Sequence, residues 1–186
     1  FTISGEILDD FQTLIASRNE HIYEQWNQMI ETLEEPQKSI LNDLMNTDKM
    51  ISLTNINYER PDNNEESLRE ASYKVLNSLA SVSPLIIGGA ADLSSSTLTY
   101  LADQKNFAAD CYEGRNIFFG VREFAMACMA NGMALSGYRP FVSTYLSFSD
   151  YLKPALRLSC LMNLPVTYIF THDSITVGED GPTHQP

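Results

Sequence analysis

The stretch IFFGVREFAMACMAN, residues 117–131, most constrains what this chain can fold into. Three apolar residues arrive as a strand would, and Gly120 offers a tight exit. Glu123 then falls in the first turn of a segment whose apolar residues Val121, Phe124, Cys128 and Met129 have helical spacing. A strand feeding directly into a helix is the unit of an open α/β sheet, where ligands bind beyond the carboxyl ends of the strands. A carboxylate at that switch is favoured by the helix dipole with or without a function, so its plainest reading is a helix-start acid.

A second stretch changes the weighing. Residues 171–186, THDSITVGEDGPTHQP, hold two of the three histidines, three acids and two glycines directly after the apolar run Val166 to Phe170, again strand then polar loop. Between the two motifs and before them lie GGAADLSS at 88–95 and an aromatic series, Tyr145, Phe148 and Tyr151. In their order and spacing these stretches resemble the pyrimidine-binding domain of the transketolase family. The likeness covers residues 65–186 well and the first 60 loosely, and GEDGPTHQP is its most specific part. It implies an α/β fold of three layers that binds thiamine diphosphate on a mostly parallel sheet, preceded by an acidic helical linker.

Charge narrows the function further. The net charge is −12, and residues 1–70 hold 15 acids against 5 Lys and Arg, or −10 of it. Nucleic acid and anionic membranes need basic residues opposite phosphate, so both are disfavoured as partners. No run of apolar residues is long enough to span a bilayer, and no secretory leader is visible. Cys111, Cys128 and Cys160 are odd in number and widely spaced, which suggests neither a disulfide framework nor zinc and fits a reducing cytoplasm. With 44% hydrophobic residues, a chain of 186 can build one substantial core. It starts at Phe1 without a methionine, as a piece of a longer protein would.

Taken in order, residues 5–33 carry helical apolar spacing at Ile7, Leu8, Phe11, Leu14, Ile15, Ile22, Trp26, Met29, Ile30 and Leu33, interrupted near 17–20, which predicts one long helix or two short ones capped by Ser4. His21, near that stripe with no partner at ligand spacing, reads as an ordinary surface or packing residue. Residues 46–64 read as a linker, so residues 1–63 form a helical tail and linker and residues 64–186 the second domain. Asn64 is expected to cap a helix carrying Leu68, Ala71, Val75, Leu76 and Leu79, with Glu65 and Glu66 in its first turn. Leu85 to Ile87 reads as a buried strand, and Gly88 with Gly89 as a tight turn open to close ligand approach. The glycines do not make a dinucleotide fingerprint, and no lysine supplies a phosphate loop. Residues 97–115 read as a short helix and loop. Arg139 to Val142 predicts a short strand, and residues 144–162 a helix with Tyr145, Phe148 and Tyr151 on one side and a kink at Pro154.

The resemblance assigns roles to residues that would otherwise be solvated charges or core aromatics. It implies that Glu123 shares a proton with the aminopyrimidine, that Phe148 stacks on that ring between Tyr145 and Tyr151, and that Asp92 and His184 lie near the cofactor. Arg69 and Ser96 would hold the phosphate of a sugar-phosphate substrate, with His172 near the same end and Asp180 at a donor hydroxyl. The family has glycine where this chain has Thr176, which bears on substrate choice. The magnesium and diphosphate motif is not present in this sequence, so those ligands are expected in a preceding domain, contributed across a homodimer, and this polypeptide alone is expected to be inactive. The resemblance thus implies transfer of a two-carbon ketol unit between sugar phosphates. The alternatives are a dihydroxyacetone-forming or deoxyxylulose-phosphate-forming relative, the latter disfavoured by GVREF and GEDGPTHQP, and a non-catalytic interaction module of the same fold, disfavoured by the intact Glu123, Phe148, Asp180 and His184.

Overall fold

Two units make up the chain, residues 1–42 and residues 43–186. The computed structural model describes residues 2–46, 54, 56–59, 61, 65–175 and 180–186. In the first unit the apolar spacing produces one continuous helix, α1 (Gly5–Thr32), without a break at 17–20. Ser4 has the extended backbone of a cap, but its side chain makes no capping bond. None of the helix is buried, and Ile7, Phe11, Leu14 and Ile22 on its stripe are 55–66% exposed. Helix α2 (Glu35–Met45) follows and likewise buries no residue. Most of the expected linker lies outside the described residues. Within it, the Asn57 amide donates to Ser78 Oγ at 2.7 Å.

Capping chemistry decides where the second unit's first long helix begins. Ser67 Oγ accepts from the Glu70 amide and the Glu70 carboxylate accepts from the Ser67 amide, a reciprocal capping box that opens α3 (Leu68–Val82). The cap is therefore Ser67; Asn64 lies outside the described residues. Glu65 and Glu66 precede the helix, and Glu66 instead accepts from the Tyr58 hydroxyl at 2.8 Å and pairs with Lys74. Lys74 and Tyr58 together hold the Glu66 carboxyl below its ordinary range.

Four strands form one parallel sheet: β1 (Ile86–Ala90), β2 (Asn116–Phe118), β3 (Arg139–Tyr145) and β4 (Thr167–Thr171), in the order β2-β1-β3-β4. Gly88 and Gly89 do not turn the chain; they sit inside β1. A Cβ on Gly88 would lie 1.8 Å from the Phe141 carbonyl oxygen and one on Gly89 2.0 Å from that of Ile117, so the flanking strands leave no room for a side chain. The turn falls at Asp92, whose φ is +64°. A four-residue helix, α4 (Ser94–Thr97), follows, and the loop to β2 is held by the Asn116 side chain, which bonds the Leu101 amide and the Leu101 and Gln104 carbonyls. Arg115 closes the other end of α3 by donating to the carbonyls of Ala80 and Ser83, and its burial lowers the guanidinium pKa.

Side chains alternate across β3 and so distribute two cores. Phe141 packs with Leu76 and Ala80 of α3, Ile86 and Leu101, while Val142 packs on the opposite face. Its neighbours there are Met126, Ala127 and Ala130 of α5 (Glu123–Leu135) and Ala155 of α6 (Lys153–Leu161). Helices on both faces of a parallel sheet make the three-layer α/β arrangement expected.

Two further expectations are corrected. The apolar series Val121, Phe124, Cys128 and Met129 is exposed, and α5 is buried through Met126, Ala127, Ala130 and Ala134 instead. Alanines at 127 and 130 let the helix approach the sheet beside Met126, whereas Phe124 and Met129 face away. The single helix expected over 144–162 is three elements: the end of β3, a 3₁₀ helix (Leu146–Tyr151), and α6. Pro154 sits in the first turn of α6, where its missing N–H costs nothing and it starts the helix without kinking it.

Candidate active site

The strand order reverses between β1 and β3, which opens a crevice at the carboxyl edge of the sheet. All four strands deliver polar or aromatic residues to that edge: Asp92 after β1, Glu123 after β2, Tyr145 at the end of β3 and His172 after β4. Glu123 is the first residue of α5, which its negative charge suits. It is 7% exposed, and its carboxylate has no hydrogen bond or ion pair among the described residues. Thr144, fully buried one residue before the end of β3, also has a hydroxyl without a partner among them.

An aromatic group stands beside this edge. Tyr145 and Phe148 stack at 5.6 Å with an interplanar angle of 10°, and Phe148 lies 6.2 Å from Tyr151. A 3₁₀ helix has three residues per turn, so a spacing of three keeps successive rings on one side of it. His184 meets Phe148 edge-on at 5.2 Å, and His172 stacks on Tyr145 at 3.8 Å. Ser147 donates to the His184 carbonyl at 2.9 Å and ties that loop to the 3₁₀ helix.

Each histidine is backed by the threonine before it. Thr171 Oγ1 lies 2.9 Å from His172 Nδ1 and Thr183 Oγ1 lies 2.8 Å from His184 Nδ1, which leaves both Nε2 atoms for other partners. His172 Nε2 is 3.9 Å from the Asp180 carboxylate. Sequence reasoning singled out the histidines and missed Thr171, Thr183 and Ser147. The Thr-His dipeptide occurring twice within fourteen residues was the available signal.

Arg69 approaches from α3. Its guanidinium donates to the Ser96 carbonyl at 2.8 Å, and it lines a groove of about 510 Å³ together with Ser72, Thr171, His172 and Asp173. The structure therefore brings together Arg69 with Ser96, Arg69 with His172, and Tyr145, Phe148 and Tyr151 with the two histidines. Asp92 stands apart, exposed and without a hydrogen bond among the described residues, and Thr176 lies outside them.

Convergence of loops and helix starts on the switch point of a parallel sheet defines a small-molecule-binding α/β domain. Residues 65–186 match the family described as transketolase, pyrimidine-binding domain. Over its whole length the chain is 42% identical to a transketolase of Bacillus subtilis (strain 168) and 40% identical to one of Geobacillus stearothermophilus, in each case spanning 28% of the relative. Among solved structures, transketolase from Pichia stipitis in complex with sedoheptulose 7-phosphate is similar with a TM-score of 0.85 at 34% identity, over 100% of this chain and 29% of that one. The chain belongs to the transketolase family, and membership implies thiamine diphosphate as cofactor. A carboxylate without a partner among the described residues, at the same edge of the sheet as the Tyr145–Phe148 stack, suits the aminopyrimidine half of that molecule. No helix among the described residues is long and apolar enough to cross a membrane.

Proposed function

We propose that this chain is the pyrimidine-binding part of a transketolase that moves a two-carbon ketol unit from a ketose phosphate to an aldose phosphate. The observation that carries the reading is Glu123, 7% exposed at the head of α5 and with no hydrogen bond or ion pair among the described residues. A carboxylate that no neighbour has engaged can share a proton with a ring nitrogen brought to the crevice. Thiamine diphosphate, when bound, supplies the carbanion-stabilising chemistry. Glu123 holds the shared proton at its carboxylate. Phe148 offers the pyrimidine an apolar face, flanked by Tyr145 and Tyr151. His184, against Phe148, carries a proton near the cofactor, and Asp92 serves its thiazolium part.

Substrate falls to a second set of residues. Arg69 and Ser96 hold the sugar phosphate with His172, and Asp180 takes a hydroxyl of the donor. The Arg69 guanidinium is already aimed by the Ser96 carbonyl and opens on the groove it shares with His172, which supports this division. The ketose phosphate of the Pichia stipitis relative is of the same chemical class. Residues 1–63 serve as the tail of a preceding domain and linker, and residues 64–186 as the pyrimidine-binding domain. Magnesium and the diphosphate are held by the preceding domain of a second subunit in a homodimer. Phe118, Phe124, Met129 and Leu135, all 51–59% exposed, supply apolar surface for that contact. The chain by itself is then inactive, and its three unpaired cysteines suit a reducing cytoplasm.

The test is hydrogen–deuterium exchange at the thiazolium carbon, followed by NMR in the full-length enzyme. Glu123→Gln keeps size and polarity and removes the ionisable group, so exchange is expected to slow at least ~10²-fold while cofactor still binds. Equal exchange rates in the two proteins, both loaded, would make Glu123 a helix-start acid only.

A further inference from the structure

Three hydroxyls are enclosed together beneath the carboxyl edge of the sheet, and the reading above gives them no role. Thr97, Thr99 and Ser143 are each 1% exposed. Their oxygens lie 2.8 Å (Thr97 to Thr99), 3.0 Å (Thr97 to Ser143) and 2.6 Å (Thr99 to Ser143) apart. Thr97 Oγ1 also donates to the Leu93 carbonyl at 2.9 Å, which commits its only proton. Thr97 is therefore the acceptor within the triangle, and the protons of Thr99 and Ser143 circulate between the remaining contacts.

The cluster is placed to control the groove. Thr97 and Thr99 flank Leu98, whose φ of +52° is a left-handed conformation that a leucine does not hold without help from its neighbours. Thr97 also ends the single turn α4, and the residue before it, Ser96, presents the carbonyl that receives Arg69. On the opposite side, Ser143 belongs to β3, two residues before Tyr145, on which His172 stacks. Its own carbonyl accepts from the Ala91 amide at 3.3 Å, next to the Asp92 turn. One buried triangle thus links the turn that aims Arg69 to the strand that carries Tyr145.

We infer that Thr97, Thr99 and Ser143 are positioning residues that hold the Ser96–Arg69 clamp in register with the Tyr145–His172 pair, and so set the enzyme's preference for phosphorylated over unphosphorylated sugars. The inference rests on the reading of the Arg69 groove as a phosphate site. It assigns the hydroxyls no contact with substrate. Their loss acts on the placement of a charged donor, so it appears in KM for phosphorylated donors and leaves kcat alone.

The experiment compares steady-state kinetics of the full-length holoenzyme on a ketose phosphate and on an unphosphorylated ketose. Thr99→Val keeps the shape and removes the hydroxyl; Thr99→Ser keeps the hydroxyl. Thr99→Val is expected to raise KM for the ketose phosphate on the order of tenfold, the scale of one buried hydrogen bond, with kcat and the unphosphorylated donor within about twofold of wild type. Thr99→Ser restores KM. Should Thr99→Val fold poorly, Ser143→Ala carries the same expectation with a smaller change in shape. Arg69→Ala separates the two claims: if it raises KM for the ketose phosphate and the hydroxyl variants do not, the positioning inference is wrong and the phosphate reading stands. If Arg69→Ala affects both donors equally, the phosphate reading and the inference built on it both fail. Loss of kcat on both donors in the hydroxyl variants assigns them to general structure and overturns the inference.

Discussion

Helices α1 and α5 present opposite cases. Helix α1 has 28 residues and a plain apolar stripe, yet buries none of them; α5 has 13, is apolar nearly all round, and buries six. A stripe marks a face that can be covered, whereas a helix apolar on every side belongs where it is enclosed. Within such a helix, side-chain size does not mark the buried face. Met126 and the alanines at 127 and 130 pack against Val142 of the sheet, and the larger Phe124 and Met129 stay outside that contact.

Truncation tests that contrast directly. Met126→Ala removes a fully buried side chain of α5, and urea unfolding followed by circular dichroism is expected to show a loss of about 2–5 kcal/mol. A loss below ~1 kcal/mol would put α5 with α1 instead of opposite it. Helix α3 stands between the two, with a local start signal and a partly buried face. Ser67→Ala removes one half of its capping box and is expected to cost about 1 kcal/mol in the same measurement, while Ser67→Asp retains most of it. The smallest effect is expected on α1: Trp26→Ala, at a position 40% exposed, should change the stability of this chain by less than ~0.5 kcal/mol. A cost comparable to that of Met126→Ala would erase the contrast.

Much of the candidate site was legible because loop chemistry is local. The strand-to-helix switch at Glu123 and the polar loop after the last strand both stand where periodicity and glycine set them. The aromatic series was legible as a spacing of three, but that spacing serves the flank of an α-helix and the side of a 3₁₀ helix alike, and only the second is present. The glycine pair at 88–89 has the composition of a turn; its cause is the approach of backbone oxygens from two other strands. Ser67 outcompeted the earlier candidate cap because Glu70 stands at the position that completes a capping box, a signal available in the sequence and passed over.

Local sequence encodes the four strands, the helices that start at Leu68 and Glu123, the polar residues after the strands, and the family motifs that 122 residues carry together from 65 to 186. Those are encoded by neighbours a few positions apart. Long-range packing settles which face of α5 is core, brings Arg69 to the Ser96 carbonyl, and brings Ser143 to a threonine 46 positions away. Contacts of that kind follow from the order β2-β1-β3-β4, which sets the strands beside one another and is written in no local pattern of the chain.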